Sequence, residues 1–126
     1  MEKEIMVFGN PLVEKDSLAL KVMEKLKGKI KGIEFRAVEG PDELPEGKDL
    51  YIMDVAEGIE KVEVLNDLDL LEAKQPISGH DFDLAMELRM RKKVGRIGKV
   101  TVVAIPAGYG PGKAVEEVEG ILVGLF

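Results

Sequence analysis

The sequence predicts an α/β fold. It reads as one three-layer domain over residues 1–126, with a largely parallel, twisted sheet of about five strands between helices and one antiparallel edge strand. Three observations carry this. Short apolar runs alternate with segments of helical period. The runs ending at Gly9, Val55 and Ile105 are almost continuously apolar, as strands covered on both faces are. The length, 126 residues, suits one core and leaves little room for two.

The elements follow in order. Glu4 to Gly9 (EIMVFG) is a buried strand closed by a Gly-Asn-Pro turn. From Asp16 the period changes: Leu18, Val22 and Leu26, with Ala19 and Met23 beside them, form a helical stripe that Gly28 stops. Ile33 to Val38 alternates as a second strand, and Gly40 to Gly47 is a loop. Asp49 to Val55 is a third strand, buried on both faces. Lys61 to Leu65 alternates charged and apolar residues, the mark of a half-exposed edge strand. Asn66 to Ile77 is irregular. His80 to Lys93 reads as a helix, with Arg89, Arg91, Lys92 and Lys93 at the end where the dipole favours cations. Lys99 to Ile105 is a further strand, Pro106 to Gly112 a glycine-rich loop, and Lys113 to Leu125 a last helix.

Composition narrows the function classes. Apolar residues make up 45%, enough for a core, so the chain is not a disordered tail. No apolar run is long enough to span a membrane and no N-terminal segment has the form of a secretory signal, so the expected compartment is the cytoplasm. Cysteine is absent, which excludes disulfides, thiolate metal sites and cysteine nucleophiles. The net charge of −6 disfavours sequence-independent nucleic-acid binding and favours a basic or metal-bearing partner. Asn occurs twice and Gln once while Lys and Glu dominate the charges, a pattern of heat-adapted proteins.

In parallel α/β sheets the ligand site lies beyond the carboxyl ends of the strands. Three residues are placed to reach it. Asp54 follows the apolar stretch of the third strand, where a carboxylate is poorly solvated unless paired or metal-bound. Asp16 lies between the first strand and its helix. His80 is the single histidine; Ser78-Gly79-His80-Asp81 has capping-box spacing, which sets the imidazole in a first helical turn and keeps it neutral. Two carboxylates and one imidazole suit a divalent transition metal with open coordination positions. Plainer roles stand beside this: Asp16 as a helix cap, Asp54 as a turn former, His80 as a structural histidine.

The same residues lie in four blocks that resemble the hydrogenase maturation endopeptidases, which remove the C-terminal extension of the nickel–iron hydrogenase large subunit. Val7-Phe8-Gly9-Asn10-Pro11-Leu12, then Asp16 and the helix from Leu18, resembles the family's opening, with Gly9, Asn10, Leu12 and Asp16 in register. Tyr51-Ile52-Met53-Asp54-Val55 is similar to its apolar strand ending in aspartate, and Ser78 to Leu84 to its Ser-x-His segment. Val102 to Pro106 is similar to its late strand. The blocks occur in order along the whole chain. The resemblance implies that Asp16, Asp54 and His80 are both the metal ligands and the catalytic residues. It further implies that the nickel arrives with the large-subunit precursor, the expected partner; the expected state of the chain is a monomer or small homo-oligomer. The chain departs from the family at Lys15, where a second acid is common, at Ser17 and Ala19, where glycines are common, and at Glu39 to Asp42, which replaces a Gly-Gly-Thr type of loop. These departures bear on the docking surface and leave open a non-catalytic, metal-binding or chaperone-like homologue that docks on a metalloprotein precursor.

Other signals carry less. Gly108-Tyr109-Gly110-Pro111-Gly112-Lys113 follows a strand and precedes a helix, but Ala107 and Ala114 stand where a phosphate loop needs glycine and a hydroxyl. A small-molecule site on this loop ranks behind the other readings. The Arg89–Lys93 cluster reads as a solvated helix end, with contact to an acidic partner as the alternative. No Ser-His-acid pattern or nucleophile elbow is present.

Overall fold

A computed structural model describes residues 3–9, 17–40, 43–66 and 84–126. Five strands form one sheet: β1 (Lys3–Phe8), β2 (Ile33–Val38), β3 (Leu50–Ala56), β4 (Glu63–Leu65) and β5 (Val100–Pro106). Their order is β2-β1-β3-β5-β4. All pairings are parallel except β4 with β5, so the expected antiparallel edge strand is present. Three helices are described: α1 (Leu18–Leu26), α2 (Leu84–Lys93) and α3 (Pro111–Leu125).

The continuous apolar runs are explained by helices on both faces. Ile5, Val7, Met53, Val55, Val103 and Ile105 join α1 and α3 in one buried cluster. The alternate residues, among them Met6, Phe8, Ile52, Val102 and Ala104, join Leu88 of α2 in the other. Neither set of side chains on the central strands can be polar without a partner, because neither meets water.

Helix α1 buries Leu18, Ala19, Val22, Met23 and Leu26, the stripe that the period predicts. Ser17 holds the cap position through its carbonyl, which accepts the Lys21 N–H at 3.0 Å, while its side chain makes no capping bond. At the other end Gly28 turns the chain with φ of 78°, a conformation that costs glycine nothing. Helix α3 buries Ala114, Val118 and Leu122 at successive turns. It begins at Pro111 rather than at Lys113, because proline fits the first helical position, where no N–H partner is needed.

Two strand boundaries also move. β3 runs past Asp54 to Ala56, since β5 offers Ala104, Ile105 and Pro106 as matching partners. β4 shrinks to three residues. Its predecessor Val62 gives its N–H to Glu117 Oε1 of α3 at 3.4 Å instead of to a strand ladder. The segment 67–83, which holds most of the irregular stretch and the expected start of the His80 helix, lies outside the described residues. No described helix is long and apolar enough to cross a membrane.

Candidate functional site

The strand order places a switch point between β1 and β3. From β1 the chain crosses to β2 on one side through α1, and from β3 it moves to β5 and β4 on the other, with α2 on the opposite face. Connections that diverge in this way leave a crevice at the carboxyl ends of the two strands, the usual ligand position in such sheets.

Asp54 sits at that crevice. The β1–β3 register pairs Val7 with Met53, so Asp54 is level with Phe8, the last residue of β1. On the β5 side it pairs with Ala104. Although β3 continues for two more residues, β1 does not, and on that side Asp54 is at the open edge. Its side chain lies on the α2 face of the sheet by strand alternation, in the row series of Ile52 and Ala56. It is 1% exposed, and with Ser17 it is one of two buried polar or charged residues described. Oδ1 accepts the N–H of the following residue, Val55, at 2.8 Å. Removing a carboxylate from water costs several kcal/mol in real proteins, so a carboxylate kept here needs a use.

The other two members of the predicted triplet, Asp16 and His80, lie outside the described residues. The described chain brackets one of them: Gly9 leaves β1 at the carboxyl edge and Ser17 opens α1. For α2, the C-terminal end is tied to the amino edge. Arg91 Nη1 donates to the Leu44 carbonyl at 3.4 Å, and Gly47 N–H donates to the Arg96 carbonyl at 2.6 Å, both just ahead of β3. The N-terminal end of α2, which follows the His80 segment, is about 10 Å along the helix from Arg91. Among the described residues no three His, Asp or Glu side chains gather into a metal site.

A second carboxylate shares the row of Asp54. Glu63 of β4 pairs with Ala104, the same residue that Asp54 pairs with from the other side. The sequence shows Glu63 only as one charged position of an alternating edge strand. Its placement depends on the antiparallel register of β4 against β5, which no local pattern encodes.

The glycine-rich loop turns out to be short. β5 ends at Pro106 and Gly110 already caps α3, so Gly112 is helical. None of Gly108, Gly110 and Gly112 takes a positive φ. The loop is bound to its neighbours: Ala107 N–H donates to Ala56 O at 3.0 Å, and the Tyr109 hydroxyl lies 3.0 Å from both Glu60 O and Glu117 Oε1. Lys113 Nζ stands 4.5 Å from the Tyr109 ring centroid. Partial burial, then the Glu117 carboxylate as acceptor and as charge, push the Tyr109 hydroxyl above the ordinary tyrosine range. A rim clamp between β3, β4 and α3 describes this loop better than a phosphate cradle. A hollow of about 730 Å³, lined in part by Lys3, Tyr51, Thr101 and Phe126, opens at the amino edge, the wrong end of the strands for the usual α/β site.

No family model, curated protein or solved structure matches the chain.

Proposed function

We propose that this chain is an endopeptidase that removes the C-terminal extension of a nickel-loaded hydrogenase large-subunit precursor, reading the bound nickel through Asp16, Asp54 and His80. The observation that carries the reading is Asp54: a buried carboxylate at the carboxyl end of β3, beside the end of β1, where the strand order opens a crevice. The four sequence blocks that resemble the maturation endopeptidases support it, since Asp54 closes the second of them.

In this reading the nickel is part of the substrate, held by the precursor's own cysteines. Two carboxylate oxygens and an imidazole nitrogen are donors that a borderline divalent metal accepts at its open positions. The ion then serves as a recognition handle that brings the scissile peptide to the crevice. Hydrolysis adds one water across the peptide bond: the hydroxyl joins the carbonyl carbon, the C–N bond breaks and the proton passes to the leaving amine. Asp16, which directly precedes Ser17 in the sequence, is assigned the base that takes the proton from water. Asp54, fixed in the sheet, is assigned to the metal.

The test is incubation of the purified chain with a nickel-loaded precursor that carries its extension, read by mass spectrometry. One defined cleavage, lost in Asp16→Asn, Asp54→Asn and His80→Ala, is the expected result. Stable binding without cleavage would assign the chain to the docking, non-catalytic class instead.

A further inference from the structure

The face of α2 turned away from the sheet has a composition that its place in this fold does not explain. Among the residues of α2 whose side chains are described, Leu88 is the one that enters the core, fully buried. On the other side Met86, Met90 and Val94 are 58%, 59% and 67% exposed. Their spacing of four residues puts them in one stripe along the helix and its C-terminal extension. Single exposed apolar residues are ordinary, but three in a row make a patch. Shallow hollows of about 540 and 670 Å³ lie on the two sides of Met90.

Charge around the stripe is reversed from the rest of the chain. From Leu84 to Arg96 there are five cations, Arg89, Arg91, Lys92, Lys93 and Arg96, and one acid, Glu87, in a protein of net charge −6. Glu87 is bound to Arg91 at 3.1 Å, and Arg96 pairs with Glu46 at 3.6 Å. Lys92 and Lys93 line the hollow that Met86 and Met90 form. The helix dipole accounts for cations in the last turn, but not for the exposed methionines.

We propose that this face of α2 is a docking surface for an acidic, amphipathic helix of a partner protein. Met86, Met90 and Val94 take the partner's apolar side chains, and Lys92 and Lys93 face its carboxylates. Methionine suits the task because its unbranched, polarisable side chain repacks around differing shapes. The spacing matches recognition of a helix laid along a groove. The basic rim selects the acidic partner and speeds encounter. A protein partner fits better than a polyanionic surface. The stripe has no Trp, Phe or Leu to enter a bilayer, and the net charge of −6 repels anionic lipid and nucleic acid alike. The inference goes beyond the proposed peptidase reading and does not require cleavage.

The test uses the full chain and a fluorescein-labelled amphipathic helix of leucine and glutamate, about 18 residues long, read by fluorescence anisotropy. The wild-type chain is expected to bind this probe and not the matching leucine–lysine helix. Met90→Glu and the double change Lys92→Glu, Lys93→Glu should each weaken binding about tenfold or more. The double change should also flatten the salt dependence. Both variants alter exposed side chains, and an unchanged circular dichroism spectrum and melting curve exclude misfolding. Failure to bind the acidic helix, equal binding of both helices, or binding indifferent to both variants would overturn the proposal. So would anionic phosphatidylserine vesicles capturing the chain in a variant-sensitive way while the acidic helix does not. Self-association in sedimentation, dissolved by Met90→Glu in the absence of probe, would assign the face to a second copy and overturn it as well. A chain that binds the probe but leaves the hydrogenase precursor intact keeps this proposal and loses the peptidase one.

Discussion

Asp54 and Glu63 stand in one row across the sheet, on the same face, with Ala104 alone between them. Asp54 pairs with Ala104 in the parallel β3–β5 ladder, and Glu63 pairs with it in the antiparallel β5–β4 ladder. Two strand spacings put the two α-carbons roughly 10 Å apart. Ala104 is buried, in the cluster that holds Leu88 of α2, so this part of the row is already covered. Ala104→Leu forces extra methylenes into that row. The expected loss is about 1–3 kcal/mol, read as a lower denaturant midpoint with an unchanged slope.

Asp54→Asn separates charge from shape. The amide oxygen can still accept the Val55 N–H that Oδ1 now accepts at 2.8 Å, and the volume is the same. The variant is expected to fold, with a native circular dichroism spectrum and a cooperative melt. On the peptidase reading, cleavage of nickel-loaded precursor should fall by more than about 100-fold, beyond what outer-shell partners of metal sites cost. Retained cleavage in the folded variant would remove Asp54 from the site.

Tyr109 gives a pH signature. Its hydroxyl donates toward Glu117 Oε1 and Glu60 O, which only the neutral phenol can do. Partial burial and Glu117 raise its folded-state pKa above the ordinary value, so the neutral form is the one that folding favours. The stability it contributes is present below the unfolded-state pKa of about 10 and is lost as pH rises through the folded-state value. Ultraviolet titration should show a phenol ionising above that pH, and Tyr109→Phe should remove it. Persistence of the late transition in Tyr109→Phe would assign it elsewhere.

The sheet was legible in the sequence because its central strands are covered on both faces. Glu4–Gly9, Asp49–Val55 and Lys99–Ile105 lack the alternation of a half-exposed strand, and each lies within a residue of the strand observed. Boundaries slipped where a tertiary partner decides them. Glu117 takes the N–H of Val62 and shortens β4, and Ala104 to Pro106 carry β3 beyond Asp54. Of the candidate site, Asp54 was legible because a charge at the end of an apolar run is anomalous by itself. Glu63 was not, because its meaning depends on which strand β4 joins and in which direction. The exposed face of α2 was half legible: the cations are plain in the sequence, but Met86 and Met90 look like core residues until Leu88 is seen to fill that role.

Nickel dependence is the sharpest test of the peptidase reading. The chain has no cysteine, so it cannot match the thiolates that hold nickel in the precursor, and it offers only oxygen and nitrogen donors. Two carboxylates and one imidazole are one donor short of a closed four-ligand site, so the set is better suited to completing the coordination of an ion already held than to keeping one of its own. Metal insertion into the precursor then becomes the signal for cutting. On that reading the expected outcome is cleavage of nickel-loaded precursor by the metal-free chain, with nickel-free precursor left intact under the same conditions. Equal cleavage of both would show that the ion is not read. Asp16, Asp54 and His80 would then form a conventional hydrolytic metal site, and adding a divalent ion to the protease alone should raise the rate on nickel-free precursor.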